Sequence, residues 1–184
     1  MQFPPIPSWD AMHPLIIHFP IVLLLLAPLF ILIATALRPR AGSPYMLTAL
    51  LLLMLGTVSL FAAQSSGEEA ADLAERSPDM NTVLLMHQHL ASRTEIVFTI
   101  LSVLFIAIVT LAHIKSLPET RLITTVVPMA YLCFYAVGIL YLVNTAHAGG
   151  RLVHEFGVHA TVAPGSGEQN SQSALPSADS NADN

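Results

Sequence analysis

Charged side chains are scarce in this sequence. Of its 184 residues, 10% are Asp, Glu, Lys or Arg and 54% are hydrophobic. Soluble domains carry roughly 25% charged residues, so this chain has too little polar surface for a soluble fold. The net charge is −5 and the acidic residues lie outside the apolar stretches, which excludes a basic surface for nucleic acid.

Other signals of common protein classes are also missing. The single cysteine, Cys133, excludes an intrachain disulfide. Residues 1–12 contain no Lys or Arg but do contain Asp10, so they lack the basic region of a cleavable signal peptide. The sequence shows no phosphate-binding loop and no nucleophile paired with a base. We therefore assign no catalytic residues.

The chain does contain four long apolar stretches. A bilayer core requires about 20 consecutive apolar residues in a helix, and lipid offers no partner to a free backbone amide. The sequence predicts an all-α, polytopic membrane protein with an irregular cap at 1–12, a membrane domain at 13–160 and a disordered tail at 161–184. A short surface helix is expected at 67–75. The predicted membrane helices form a four-helix bundle and cover about residues 14–37, 45–64, 82–114 and 122–146.

Prolines and glycines predict local departures from regular helix. Pro20 leaves the Ile16 carbonyl without its helical donor, so we expect a loosened turn around His18. The pair Gly149-Gly150 predicts a turn after the fourth membrane helix.

The short turns after the first and third helices carry most of the basic residues. Four of the seven Lys and Arg residues lie there: Arg38, Arg40, Lys115 and Arg121. Basic residues in short loops favour the cytoplasmic side, so both termini are predicted on the opposite side. In a bacterium this corresponds to the inner membrane with both termini in the periplasm.

Seven of the eight histidines fall on this predicted outer side, and His113 alone lies at the inner end. Histidine favours interfaces over hydrocarbon, so part of the clustering needs no function. Ionisable groups at membrane depth are nevertheless mostly functional, and we predict a ligand or proton site there. The seven outer residues are His13, His18, His87, His89, His147, His154 and His159.

Spacing ranks these histidines. His87 and His89 are two residues apart and point about 200° apart on a helix, so at most one faces the bundle interior. His18 lies deeper than His13, so we predict that His18 faces inward and that His13 only closes the mouth of the site. His159 lies near the tail and is predicted to be solvated.

Three segments of the sequence share features with a known family. They are residues 13–21 (HPLIIHFPI), residues 67–70 (GEEA) with 87–91 (HQHLA), and residues 147–158 (HAGGRLVHEFGV). In this order they resemble a bacterial membrane family, domain of unknown function 2231. The resemblance covers about residues 10–160 and implies a four-helix membrane domain. It also implies redox work, because some relatives share a chain with c-type cytochrome domains. His87 rather than His89 matches the recurrent histidine, and His159 stands where the family often has glycine.

We favour the hypothesis of a haem b electron-transfer module at the periplasmic face, with quinol or a c-type cytochrome as its redox partner. The sequence has no Cys-x-x-Cys-His for covalent haem, and six-coordinate haem b needs two imidazoles from facing helices. Gly149 and Gly150 could admit the flat macrocycle, and Arg93 or Arg151 could pair with its propionates. The candidate axial ligands are His18, His87 and His147, with His13 and His154 close by.

Two other hypotheses stay open. In the first, His18, His87 and His147 bind a zinc, copper or iron ion without haem, together with Glu68, Glu69 or Glu155. In the second, the protein is a structural or partner-binding membrane subunit with no cofactor. The optical spectrum of the purified protein distinguishes haem from both alternatives.

Overall fold

The computed structural model describes residues 8–37, 39–73, 77–113 and 122–158, and every regular element in these ranges is helical. This confirms the predicted all-α class. The predicted tail at 161–184 and His159 lie outside the described residues, as do residues 1–7 of the predicted cap. The elements are a 3₁₀ turn at Asp10–Met12, α1 (His13–Ile16), α2 (His18–Ala36), α3 (Pro39–Leu73), α4 (Pro78–His113), a π-helical turn at Leu122–Val126 and α5 (Val127–His154).

Four stretches of helix are long and apolar enough to cross a membrane: His13–Ala36, Arg40–Asp72, Pro78–Leu111 and Ile123–His154. The protein is therefore an integral, multi-pass membrane protein. With 35 and 36 residues, α3 and α4 are each more than about 50 Å long, whereas the bilayer core is about 30 Å thick. Their polar parts are the end of α3 and the start of α4, so both helices project beyond the lipid at the same end of the bundle.

Several helix ends differ from the sequence prediction, and three of the differences affect the end of the bundle or its turns. α3 begins at Pro39 instead of residue 45, because proline is well suited to a first helical turn. α3 also continues to Leu73 and absorbs most of the surface helix predicted at 67–75. α5 runs through Gly149 and Gly150 to His154, so the turn predicted at these glycines is wrong.

The break predicted near Pro20 is confirmed. α1 ends at Ile16, Ile17 forms a turn, and α2 begins at His18. The amide of Ile21 still reaches the Ile17 carbonyl at 3.4 Å, so the chain continues in nearly the same direction. His13 consequently lies on a separate, four-residue helical turn.

The helices pack as two hairpins, α2 with α3 and α4 with α5. The hairpins contact each other through α3 against α4 and α2 against α5. The core between them lies in the half of the bundle away from the overhanging ends of α3 and α4. It is apolar and rich in aromatic rings, and its fully buried large side chains include Leu24, Ile31, Leu53, Phe98, Phe105 and Tyr135.

A proline and a tyrosine are matched across this core. Pro28 lies inside α2 and has no N–H to donate to the Leu24 carbonyl. The hydroxyl of Tyr135 donates to that carbonyl instead, at 2.7 Å, and its ring is 1% exposed. The bond satisfies a carbonyl that lipid could not satisfy and ties α5 to α2.

The end of α5 folds back on the bundle. Gly157 has a φ of 65°, which residues with a side chain rarely adopt. The turn brings Phe156 and Val158 against a small apolar cluster formed by Ala71, Met80, Val83, Leu84 and Leu152. This second cluster closes one side of the space between the projecting ends of α3, α4 and α5.

Candidate functional site

A cavity of about 1480 Å³ lies at the end of the bundle where α3 and α4 project. Residues from α1, the start of α2, the end of α3, the start of α4 and the end of α5 line it. Ligand pockets in proteins are typically about 300–1,000 Å³, so a large planar ligand is within its capacity. Its histidines among the described residues are His13, His87 and His154.

His13 is held against α3. Its Nδ1 lies 2.9 Å from the carbonyl oxygen of Ala63 and 3.1 Å from the hydroxyl of Ser66. The ring rests on Gly67: a Cβ at that position would be 2.8 Å from Cε1 of His13. Glycine is thus required for the imidazole to approach this closely.

His87 is held against α5 in the same manner. Its Nδ1 lies 3.0 Å from the carbonyl oxygen of Thr145, and a Cβ at Gly149 would be 3.0 Å from its Cε1. The hydroxyl of Thr145 in turn shares a 2.8 Å hydrogen bond with Thr94, which is almost fully buried. α4 and α5 are thereby joined beside the imidazole.

The two arrangements repeat each other. In each hairpin the histidine lies near the start of the first helical segment, which is α1 with α2 or α4. The glycine lies near the end of the second helix, which is α3 or α5. The accepting carbonyl lies four residues before the glycine in both: Ala63 before Gly67, and Thr145 before Gly149. The repeated unit is a contact between helices, and its signal in the sequence is only a histidine and a distant glycine.

The hydrogen bonds fix the chemistry of both rings. A backbone carbonyl only accepts, so Nδ1 of each neutral imidazole must carry the proton. Nε2 then presents its lone pair, and neither Nε2 has a hydrogen-bond partner among the described residues. This is the arrangement that orients histidine ligands of metals.

The charged residues that line the described part of the cavity are acidic, apart from histidine. Glu68 and Asp72 are among them, and neither Lys nor Arg is. The predicted propionate partners lie elsewhere: Arg93 is exposed and outside the lining. Arg151 forms a two-pronged ion pair with Glu155 at 2.8–3.0 Å, and this hydrogen bond holds the pKa of the Glu155 carboxyl below its usual range.

Three histidines differ from their predicted positions. His18 was expected to face inward, but it is exposed and outside the cavity lining. His13 faces inward instead, and its Nδ1 contacts the Ala63 carbonyl and the Ser66 hydroxyl of α3. His147 is also exposed and outside the lining, because α5 continues as a helix through Gly149 and presents Gly149, not His147, to His87.

Some of the remaining predicted site residues line the cavity and others lie outside its lining. His87, Gly149, Gly150 and His154 line the cavity, while His89 is exposed, as expected if one of the pair at 87 and 89 faces inward. His18, His87 and His147, the predicted metal ligands, do not come together. Within the described ranges no group of three His, Cys, Asp or Glu side chains is arranged to hold a metal ion.

Comparison with known families gives a match over residues 10–162 to the family described as predicted membrane protein, DUF2231. The chain belongs to the DUF2231 family. The matched span includes His13 and His87 and the glycines against which they rest, Gly67 and Gly149. Beyond the DUF2231 match, neither the curated proteins nor the solved structures contain a significant relative.

Proposed function

We propose that this DUF2231 protein binds haem b in the cavity, with His13 and His87 as the axial ligands, and transfers electrons at one face of the membrane. The observation that carries the proposal is the pair of matched imidazoles, each with its Nδ1 on a helix carbonyl and its Nε2 without a hydrogen-bond partner in the described part of the chain. Bundle cores commonly hold cofactors in this way, through side chains on facing helices.

The number of ligands favours haem over a bare metal ion. A zinc, copper or iron ion in a protein takes about four protein or water ligands, and the described residues offer no group of three. Haem supplies four equatorial nitrogens itself and needs two axial ligands. The two free Nε2 atoms meet that need, so we place the metal-ion alternative second.

The lining of the cavity restricts how haem would lie. Glu68 and Asp72 are both exposed, and neither Lys nor Arg lines the described part of the cavity, so the propionates would have to be solvated by water. The macrocycle would contact the apolar part of the lining, which includes Ile17, Leu84 and Leu142. The proposal therefore does not include the pairing with Arg93 or Arg151 that the sequence suggested.

The proposed location is the periplasmic side of a bacterial inner membrane, with both termini on that side. The Lys and Arg bias of the short turns supports this orientation. Since α3 and α4 project beyond the lipid around the cavity, a haem there is accessible to quinol at the membrane surface or to a c-type cytochrome outside it. The role is electron transfer, with no substrate transformed by the protein's own side chains.

Titration of the detergent-purified protein with haem tests the proposal. The wild type should take up one haem per chain and show a Soret band, with sharp visible bands on reduction. His13→Ala and His87→Ala should each lower haem affinity by more than about tenfold, since even loss of a residue supporting a ligand typically costs that much.

The matched control is His18→Ala, which removes an exposed histidine five residues from His13. Its haem affinity should equal that of the wild type. A folded wild type that takes up no haem would leave a structural or partner-binding subunit as the better description. Equal loss of haem in His18→Ala and His13→Ala would overturn the ligand assignment.

A further inference from the structure

The two histidine arrangements differ at one buried position. The residue before the glycine is Ser66 in the first hairpin and Ala148 in the second, and both are 0% exposed. The hydroxyl of Ser66 donates to the Ala63 carbonyl at 3.0 Å and, since its own proton is used there, accepts from Nδ1 of His13 at 3.1 Å. His87 has a single acceptor for its Nδ1, the Thr145 carbonyl.

The backbones that carry the two histidines also differ. His87 is the tenth residue of α4, a continuous helix of 36 residues. His13 begins α1, which has four residues and is separated from α2 by the turn at Ile17. Short helical segments gain little stability from their own hydrogen bonds. The backbone therefore fixes His87 more firmly than His13. The additional acceptor, the Ser66 hydroxyl, contacts the less firmly held histidine.

We propose that Ser66 is a positioning residue for His13. Its hydroxyl and the Ala63 carbonyl form two acceptors about the Nδ1 proton, which restrict ring rotation and hold the tautomer that leaves Nε2 free. The role in haem ligation rests on the proposed function. The tautomer and orientation of His13 are properties of the chain itself and do not depend on a bound group.

One consequence is an order of ligand release. When Ser66 loses its hydroxyl, His13 is the imidazole that dissociates, because the contacts of His87 are unchanged. A bound haem would then keep His87 as its protein ligand, and the position given up by His13 would be open to a small neutral ligand such as carbon monoxide. In the wild type, the Ser66 hydroxyl on α3 would therefore limit how readily an external ligand replaces His13 at the iron.

The test compares Ser66→Ala with Ser65→Ala, its exposed neighbour on the same helix. The first readout is the ¹⁵N NMR spectrum of histidine-labelled protein without haem. Ser66→Ala should shift the His13 nitrogens towards a mixture of tautomers and leave His87 unchanged. Ser65→Ala should leave both rings as in the wild type. Ser66→Cys, which keeps a side chain of similar size with a weak acceptor, should resemble Ser66→Ala and excludes an effect of a small void.

The second readout is carbon monoxide binding to the reduced, haem-loaded protein. Loss of one hydrogen bond to a ligand should raise the association rate about fivefold in Ser66→Ala, with no change in Ser65→Ala. Unchanged His13 nitrogens in Ser66→Ala would overturn the positioning role, whether or not haem binds. A wild type that binds no haem but shows the His13 shift in Ser66→Ala would overturn the proposed function and support the positioning role.

Discussion

The two ends of this bundle are built from the same helices but differ in packing. In the closed half, aromatic rings fill the space: Phe105 stacks on Tyr131 with centroids 5.0 Å apart, and Phe98 meets Tyr135 edge-on at 5.5 Å. In the open half the helices surround a cavity of about 1480 Å³, and His13 and His87 are among the polar side chains that line it. Stability should therefore depend on the closed half and ligand binding on the open half.

Gly67→Ala is expected to have the largest effect on the open half. The new Cβ would lie 2.8 Å from Cε1 of His13, so the ring must leave the Ala63 carbonyl. Haem affinity should fall about 10- to 100-fold, as for other losses of a group that orients a ligand, while the midpoint of thermal unfolding changes little. Haem titration and calorimetry on the same preparation measure the two quantities.

Gly150→Ala is the control for this substitution, because a Cβ at Gly150 meets nothing within 4 Å. Haem affinity should be retained, and the gain in helix propensity should add up to about 1 kcal/mol of stability. Equal loss of haem affinity in both variants would show that the contact with the imidazole is not what matters.

Tyr135→Phe should have the reverse effect of Gly67→Ala: it should lower stability and leave haem binding unchanged. It leaves the Leu24 carbonyl, already without a helical donor because of Pro28, with no hydrogen bond in the core. The free energy of unfolding should fall by about 1–3 kcal/mol, with haem affinity unchanged. Tyr141→Phe on the same helix is the control, since the Tyr141 hydroxyl has no partner among the described residues. Loss of haem affinity in Tyr135→Phe would contradict the separation of the two halves.

Thr57→Val should have a smaller effect on the closed half. The Thr57 hydroxyl shares a buried 2.8 Å hydrogen bond with Ser102 across α3 and α4. Such bonds between membrane helices contribute about 0.6 kcal/mol on average. Unfolding of Thr57→Val, Ser102→Ala and the double variant forms a cycle. The double variant should lose less than the sum of the single ones, and strict additivity would show that the bond contributes nothing.

The smallest effect concerns the end of α5. The hydrogen bond from Arg151 lowers the folded-state pKa of Glu155, so this pair supports the last turn above the ordinary pKa of a carboxyl. Its contribution is lost as pH falls through the lowered value. Protection of the amides at residues 155–158, measured against their intrinsic exchange rates, should therefore fall in acid in the wild type, and in Glu155→Gln it should be low at every pH. The pair is exposed, so global unfolding should not change.

The membrane helices could be predicted from sequence because lipid imposes the same requirement on every span. The span must be apolar, and its backbone amides and carbonyls must pair within a helix. The clustering of histidines at one end was read correctly for the same reason: six of the histidines expected there lie in the described residues, and the cavity at that end contains three of them. Depth in the membrane follows from position along a helix.

Which histidines face inward could not be predicted from depth along the helix. His13 and His18 are five residues apart and point about 140° apart on a helix, and it is the shallower His13 that contacts α3, while the deeper His18 is exposed. At the other wall, Gly149 was interpreted as a helix breaker, but it is the surface on which His87 rests. Glycine can end a helix or allow another group to approach the backbone closely. Only the packing of the neighbouring helix determines which of the two roles it has.

The spectrum of the ferric, haem-loaded protein by electron paramagnetic resonance tests ligation by His13 and His87 most directly. The wild type should give a low-spin signal from two imidazole ligands, and His13→Ala and His87→Ala should each give a high-spin signal. Added imidazole, which can occupy the space left by either side chain, should restore the low-spin signal in both variants. A low-spin signal that survives either substitution without added imidazole would contradict the account.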